Sequence, residues 1–192
     1  MNFRIIKDLA LLESPTKNEE KLRDYIRNYL KDFISENSIE IDTAGNLWVN
    51  RGDIYLCAHM DKLGDPGEWR EDESQIQGRL DDAVGVGLAL ELLKANNSLS
   101  VIFTVAEEFK DGTYGWGAQM AIQAMMKKNP RLIIVIDTSP RCEMGKGPII
   151  YTSSEDVQFD EKLITRAKET ASKSHIPYQV SAGRGNDSRW FG

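Results

Sequence analysis

Residues 54–61 read Ile54-Tyr55-Leu56-Cys57-Ala58-His59-Met60-Asp61, a short apolar run that ends in a histidine and a nearby carboxylate. Turn-forming sequences flank the run, Arg51-Gly52-Asp53 before it and Leu63-Gly64-Asp65-Pro66-Gly67 after it. An apolar run of this length between turn signals predicts a β-strand that is buried on both faces. Because ligands bind at the carboxyl ends of the strands in open α/β sheets, this strand places His59 where a ligand site is expected.

The spacing of His59 and Asp61 adds a second indication. Residues two positions apart lie on the same side of an extended chain, so Asp61 could accept the second imidazole N–H and fix which nitrogen faces a metal ion. Taken alone, a histidine at a strand end is more often a packed residue than a ligand. The assignment of His59 therefore depends on what the rest of the chain brings to the same edge.

Composition limits the classes of protein to consider. The chain has 192 residues, of which 41% are hydrophobic and 28% charged, as expected for one globular domain with a sizeable core. The net charge of −6 leaves no basic face for a nucleic-acid partner. No run approaches the roughly 18 apolar residues of a membrane span, and no signal-peptide pattern is present. We therefore predict a cytoplasmic protein with no membrane partner.

The two cysteines point the same way. Cys57 lies inside the predicted buried strand, and Cys142 is far from it in sequence. Neither a disulfide framework nor a thiolate zinc motif can be built from two such residues. We interpret both as reduced structural cysteines of a cytosolic protein.

Apolar periodicity divides the rest of the chain into alternating helices and strands. Helices are predicted over residues 3–13, 18–33, 82–94, 118–128 and 160–174, and strands over 39–43, 47–50, 100–106, 132–136, 148–153 and 176–180. Residues 65–77 and 110–117 are predicted surface loops, and residues 185–192 a turn into another helix. Strand–helix alternation predicts an α/β fold with parallel crossovers and helices on both faces of the sheet.

Acidic residues recur where these elements begin or end. Asp81-Asp82 opens a predicted helix, Glu107-Glu108 directly follows one strand, and Asp137 directly follows the next. With parallel crossovers, all of them share one edge of the sheet with His59. Carboxylates converging in this way cannot all stay ionised without a cation between them, so the pattern predicts a divalent metal site.

Each acidic group also has an ordinary structural explanation. Asp81 or Asp82 could be a helix cap, Glu107-Glu108 a solvated face, and Asp137 a turn residue. These explanations must all hold at once. They also leave unexplained why each acidic group directly follows a core strand or opens a core helix, so we favour the metal site.

Five short motifs carry a resemblance. They are Ala58-His59-Met60-Asp61, Leu80-Asp81-Asp82-Ala83-Val84-Gly85, Glu107-Glu108 followed by Gly115 and Gly117-Ala118, Val135-Ile136-Asp137, and Gly185-Asn186-Asp187-Ser188-Arg189-Trp190-Phe191. In this order they resemble the motifs of the co-catalytic di-zinc exopeptidase superfamily over roughly residues 45–192. That superfamily includes leucyl-type and tetrahedral aminopeptidases and the carboxypeptidase, tripeptidase and deacetylase branch. The resemblance implies a three-layer α/β/α fold, the phosphorylase/hydrolase-like zinc peptidase fold, with a mostly parallel mixed central sheet.

The resemblance also implies a role for each site residue. His59 and Asp137 would bind one metal ion, and Glu108 would bind the second. Asp81 would bridge the two ions. Glu107 would be the general base, and Asp61 would orient His59. The cofactors would be two divalent metal ions, zinc first, with cobalt or manganese as alternatives. The reaction would be hydrolysis of an amide bond in a peptide or an N-acyl amino acid, most simply by an aminopeptidase acting on short peptides.

Two departures from the superfamily pattern bear on this expectation. The terminal histidine of the second metal is missing, and we interpret His175 as a surface residue. The intervals from His59 to Asp81 and from Asp137 to Asp187 are too short for an inserted lid domain. We therefore expect a single catalytic-type domain over residues 1–192 that has no lid and lacks its C-terminal segment.

The branch of the superfamily stays open at this point. The short intervals favour a compact aminopeptidase, whereas Asn186-Asp187-Ser188-Arg189 favours the deacetylase branch. Alternatives are an N-acyl amino acid deacylase or dipeptidase, an inactive relative that serves as a binding or assembly module, and a binding protein without metal. Self-association into a homo-oligomer is possible. Trp69, Tyr114 and Trp116 could shape a side-chain pocket, but we interpret them as packing residues.

Overall fold

The computed structural model describes residues 3–63, 69–72, 76–108, 114–143, 145–183 and 186–191. They form two compact units, Met1–Thr138 and Ser139–Gly192. The helices of the first unit are α1 (Phe3–Leu11), α2 (Glu20–Leu30), α3 (Ala83–Ala95) and α4 (Trp116–Lys128). Its strands are β1 (Ile39–Ile41), β2 (Leu47–Val49), β3 (Ile54–His59), β4 (Trp69–Glu71), β5 (Ile76–Gly78), β6 (Leu99–Thr104) and β7 (Leu132–Val135).

A five-stranded mixed sheet organises the first unit, with strand order β1-β2-β6-β3-β7. β3 pairs in parallel with β6 on one side and with β7 on the other. β2 pairs antiparallel with both β1 and β6. The strand that ends in His59 is therefore an interior strand with a neighbour on each side, and its residues from Tyr55 onward are buried, as the apolar run predicts. The predicted α/β class is confirmed.

Helices cover both faces of this sheet. The chain crosses from β3 to β6 through α3 and returns past β3 to β7 through α4, and right-handed crossovers in opposite directions place the two helices on opposite faces. Side chains alternate between faces along each strand. Leu47 and Val49 join the main core with residues of α1, α2 and α3. Trp48, between them, faces the other way, and the Lys128 ammonium of α4 lies 5.1 Å from its ring centroid. The result is three layers.

The first two helices are amphipathic for a simple reason. Leu22, Ile26 and Leu30 recur every fourth residue of α2, so they share one face, and all three are fully buried in the main core. α1 packs on α3. Each such side chain contributes roughly 1.5–3 kcal/mol of hydrophobic burial.

One predicted loop contains regular structure. In the region predicted to be a surface loop over residues 65–77, β4 and β5 form an antiparallel pair that extends to Gly78, which lies opposite Trp69. The polar sequence does not reveal this pair because each strand has only three residues and none of them is fully buried. Residues 65–68 and 73–75 of that prediction, and 110–113 of the second predicted loop, lie outside the described residues.

The second unit is a separate small α/β arrangement. It consists of β8 (Ile149–Ser154), β9 (Val157–Gln158), α5 (Glu161–Lys173), β10 (Gln179–Gly183) and α6 (Ser188–Phe191). β8 lies between β10, which runs parallel to it, and β9, which runs antiparallel. β9 was not predicted from the sequence. The strand predicted to begin at residue 176 begins three residues later, at Gln179. His175 is exposed, as expected.

Two further expectations concern the whole chain. Cys57 is buried and Cys142 exposed, and both are free thiols, so only Cys57 is a packed structural cysteine. No helix in the described part of the chain is both long and apolar enough to cross a membrane.

Candidate functional site

The site lies at the carboxyl edge of the parallel strands of the first unit. His59, the last residue of β3, pairs with Thr104, the last residue of β6. Glu107 and Glu108 follow β6, and Asp137 follows β7 on the other side of β3. Asp81 lies two residues before α3. The topology alone therefore brings the predicted residues to one edge.

His59 is at the centre of this cluster. Its Nε2 lies 3.0 Å from Asp81 Oδ1 and 3.7 Å from Asp137 Oδ1. Its Nδ1 lies 3.0 Å from the backbone oxygen of Asp61 and 3.4 Å from the Asp61 carboxylate. Burial alone would lower the pKa of His59, but hydrogen bonds with Asp137, Asp61 and Asp81 outweigh it and raise the pKa well above its ordinary value. The imidazole thus presents Nε2 to the two aspartates.

Two sets of potential ligand atoms overlap on this histidine. The donor atoms of His59, Asp81 and Asp137 all lie within 4.8 Å of one another, and so do those of His59, Glu107 and Glu108. The first set contains the three residues that the resemblance places around one metal. In the second set Glu108 is grouped with Glu107 and His59, whereas the resemblance pairs it with the bridging Asp81.

The charges in the cluster call for a cation. Burial, together with the nearby carboxylates of Asp81, Asp61 and Asp137, raises the pKa of Glu108 to about 7 against the opposing effect of His59. Burial also opposes ionisation of Asp81, but contacts with His59, Thr138 and Asp137 lower its pKa. One imidazole and several crowded carboxylates form a donor set that suits a divalent ion, so the residues present fit the implied metals.

Asp81 and Asp82 separate into the two roles that the sequence left open. The carboxylate of Asp82 accepts a hydrogen bond from the Gly85 N–H at 2.8 Å and caps α3. Asp82 is completely buried, and this burial raises its pKa well above the ordinary value. Its neighbour Asp81 faces His59 instead. The cap explanation therefore fits Asp82, and the ligand geometry belongs to Asp81.

Asp61 holds more than the imidazole. Its carboxylate accepts hydrogen bonds from the N–H groups of Glu107 at 2.9 Å and Glu108 at 3.0 Å, and from the Thr16 hydroxyl at 2.9 Å. Burial would raise its pKa, but His59 and the two backbone N–H groups lower it. Asp61 therefore ties the end of β3 to the segment that follows β6, besides contacting His59.

Sequence reasoning missed three buried polar residues that support the site. Thr16 reaches Asp61, and Glu19 accepts a hydrogen bond from the Ala106 N–H at 3.0 Å. The Asn46 side chain accepts from the Val105 N–H at 3.0 Å and donates to the Gly117 carbonyl at 2.9 Å. The available signal was weak: these side chains lie in a helix break, at a helix start and in a turn, where polar residues are ordinary.

Gly117 explains why a glycine follows the acidic pair. A Cβ atom at this position would lie 2.2 Å from the Val105 carbonyl oxygen, so α4 can begin this close to the end of β6 only with a glycine there. Trp69 and Trp116 pack against the main core, which supports the packing interpretation, and Tyr114 is half-buried.

Comparison with known proteins agrees with this architecture. A TET peptidase dodecamer, PhTET1-12s, matches 100% of this chain and 87% of its own, with a TM-score of 0.82 at 18% identity. The aminopeptidase APDkam598 of Desulfurococcus kamchatkensis matches 97% of this chain and 81% of its own, with a TM-score of 0.72 at 16% identity. At such identities these structures show the fold, and the predicted three-layer class is the one they share.

Sequence comparison identifies the family. A succinyl-diaminopimelate desuccinylase of Sulfurimonas denitrificans is 29% identical over 169 residues, which cover 77% of this chain and 44% of that protein. The chain spans less than half the length of the curated relatives it matches. The profile described as M42 glutamyl aminopeptidase matches residues 68–190, well over half of the chain. On this match, the chain belongs to the M42 glutamyl aminopeptidase family.

Proposed function

We propose that the chain is the metal-binding core of an aminopeptidase that hydrolyses the N-terminal amide bond of short peptides. The observation that carries the proposal is the convergence of His59, Asp81 and Asp137, whose donor atoms lie within 4.8 Å of one another. Glu107 and Glu108 lie next to them at the same sheet edge. Membership of a family of aminopeptidases supports the reaction class.

The ligands would be shared between two ions. His59, Asp81 and Asp137 would hold one divalent ion, and Asp81 with Glu108 would hold the second. Imidazole nitrogen and carboxylate oxygen are ordinary zinc ligands, and cobalt or manganese could replace zinc in such a set. When bound, the ions would polarise the scissile carbonyl and lower the pKa of water.

Glu107 would act as the general base. It is buried beside His59, and Asp61 holds its backbone N–H. From this position its carboxylate would take the proton of the attacking water and later deliver it to the leaving amine. Asp61 would fix the position of the His59 ring relative to the Glu107 backbone, because it contacts both.

The test combines metal content with activity. The purified chain is titrated with zinc and cobalt, and hydrolysis of aminoacyl para-nitroanilides of glutamate, leucine and alanine is measured. We expect Asp137→Asn to lose both metal and activity. Glu107→Gln should keep metal and lose about 10²–10⁴ in kcat.

A matched control sharpens the result. Asp53→Asn removes an exposed aspartate that pairs with Arg131 at 3.0 Å and should leave metal binding and activity unchanged. A parent protein that binds no zinc, or a Glu107→Gln variant with full activity, would contradict the proposal.

The desuccinylase relative favours a second candidate, an N-acyl amino acid deacylase. The same metal cluster would serve it, because both reactions hydrolyse an amide bond. Adding N-succinyl and N-acetyl amino acids to the substrate panel separates the two. Faster turnover of the N-acyl compounds would reassign the substrate class without changing the roles of the site residues.

We also propose self-association and a cytoplasmic location. The TET relatives are described as a dodecamer and as tetrahedral or octahedral shells, which supports a homo-oligomer here. Light scattering coupled to size-exclusion chromatography measures the oligomeric state, and a monomer at micromolar concentration would contradict the proposed self-association.

The cytoplasmic location is supported by the free thiols of Cys57 and Cys142, which suit a reducing compartment.

A further inference from the structure

We infer that Glu19 is a positioning residue: its carboxylate holds the backbone turn that directs Glu107 into the site. The inference rests on the proposed function in one respect, the role of Glu107 as general base. The contacts that support it are independent of that role and lie around residues 105–108.

The amides of this segment are paired in an unusual way. Beyond the last residue of β6, four successive backbone N–H groups donate to side-chain oxygens from other parts of the first unit. The pairs are Val105 to Asn46 at 3.0 Å, Ala106 to Glu19 at 3.0 Å, Glu107 to Asp61 at 2.9 Å and Glu108 to Asp61 at 3.0 Å. Side chains thus take over from the strand ladder where the chain leaves the sheet.

The carbonyl side of the segment is fixed as well. The N–H groups of residues 115–117 donate to its carbonyl oxygens: Gly115 to Glu107 at 2.9 Å, Trp116 to Ala106 at 3.0 Å and Gly117 to Val105 at 3.0 Å. The segment therefore lies between the start of α4 and three supporting side chains. The position of the segment is thus set by contacts on both its N–H and its carbonyl sides. If one contact is removed, the remaining amides can be measured to detect a displacement of the segment.

Ala106 is the bend in this segment. Its φ of 50° is left-handed, a conformation that residues with a Cβ adopt only when their surroundings impose it. The N–H of this residue donates to Glu19. The bend turns the next two N–H groups toward Asp61 and places the Glu107 side chain beside His59.

Glu19 is built for this contact rather than for its helix. It precedes α2, yet among the described contacts its side chain makes no cap bond to that helix. It is only 4% exposed, and the same oxygen accepts from Lys17 N–H at 2.7 Å and from Ala106 N–H. A buried carboxylate is tolerated only when hydrogen bonds replace water, and one of these two bonds comes from the bend at Ala106.

The test compares Glu19→Met, which keeps the volume and removes the acceptor, with Glu19→Gln, which keeps an acceptor oxygen. Leu22→Ala is the control, because Leu22 is fully buried on α2, the helix that follows Glu19, and lies outside the catalytic set. Two quantities are measured: kcat and KM on the best para-nitroanilide, and the amide hydrogen exchange of Ala106 and Glu107 by NMR.

We expect Glu19→Met to lower kcat about 10²-fold with little change in KM, as a displacement near 1 Å of a catalytic group does. The amides of Ala106 and Glu107 should exchange faster in this variant. Glu19→Gln should stay near the parent in both measurements. Leu22→Ala should lower the melting temperature and leave kcat and the two amides unchanged.

Three results would overturn the inference: parent-like exchange at Ala106 in Glu19→Met, a Glu19→Gln variant as impaired as Glu19→Met, or an equal loss of kcat in Leu22→Ala. If Glu19→Met does not fold, Glu19→Asp, which shortens the reach by one methylene, undergoes the same comparison. If the parent hydrolyses no substrate, the proposed function fails, and the exchange data still decide whether Glu19 holds the bend.

Discussion

Lys62, three residues after His59, offers a test of the packing beneath the site. Its side chain is 2% exposed, and its ammonium donates to the backbone oxygens of Leu9 and Leu12 near the end of α1. Burial, and then the neighbouring Arg79 guanidinium, lower the pKa of Lys62 from 10.5 to about 7. The Arg79 side chain donates to the Leu12 oxygen too, at 2.9 Å. Two basic side chains therefore share the carbonyl end of one helix.

This shift has a definite consequence for stability. Between pH 7 and 10.5 the unfolded chain keeps the Lys62 proton and the folded chain has released it, so the free energy of unfolding rises with pH. Below pH 7 both states are protonated, and this contribution is flat at its least favourable value. At 1.36 kcal/mol per pKa unit, the gain from pH 6 to pH 9 is about 3 kcal/mol. Because the two carbonyl oxygens favour the ammonium, this figure is an upper bound.

The assay is urea unfolding of the parent and of Lys62→Met at pH 6 and pH 9. Comparing the two proteins at each pH cancels every titration that they share. We expect the stability of the parent relative to the variant to increase by up to about 3 kcal/mol from pH 6 to pH 9. Lys7→Met, which removes a partly exposed lysine of α1, is the control for loss of a charge. A pH-independent difference between parent and Lys62→Met would refute the reasoning.

Three further predictions concern the site and its support. Thr16→Val should weaken zinc binding about 10-fold, because Asp61 loses the hydrogen bond from the Thr16 hydroxyl, whereas Thr16→Ser keeps a hydroxyl and should bind zinc like the parent. Zinc titration measures the affinities. Equal affinities of the parent and Thr16→Val would contradict the expectation. Gly117→Ala should lower the free energy of unfolding by about 2 kcal/mol or more, because the added Cβ would clash with the Val105 carbonyl oxygen. Urea unfolding measures this change. A difference from the parent of less than about 0.5 kcal/mol, as for an ordinary surface substitution, would contradict the expectation. Chelation should lower the melting temperature by roughly 5–10 °C, reversed by zinc, since metal binds the folded state; an unchanged melting temperature after chelation would count against a metal centre.

The sequence was sufficient to predict that the candidate residues share one edge of the sheet, and the reason is topological. Each candidate ligand directly follows a strand or precedes a helix, and chain order with right-handed crossovers sends those points to one edge. Hydrophobic runs locate β3 and β6 because both are buried core strands, and they locate β7, a partly exposed edge strand, because all of its residues are apolar. Asp81 and Asp82 could not be distinguished in this way, since adjacent residues differ only in the direction in which the fold points them.

The support of the site was beyond sequence reasoning. Glu19 near the positive end of α2 has an ordinary local explanation, and only the fold brings it to Ala106, far along the chain. The β4–β5 pair was missed for a different reason: each strand has only three residues, none of them fully buried, so no alternating pattern appears in the sequence.

The pairing of residues 105–108 suggests why the catalytic-type residues lie beyond the strand end and not within it. Inside β6 the ladder to β3 dictates the direction of every side chain, and alternation would give adjacent glutamates opposite faces. Past Thr104 the chain is free of the ladder, but its N–H groups then need other acceptors. Asn46, Glu19 and Asp61 supply them, so the segment can bend at Ala106 and bring both glutamates to His59. The buried acceptors are thus the physical condition for placing Glu107 and Glu108 in one cluster, and a variant that removes an acceptor should disturb that cluster before it disturbs the sheet.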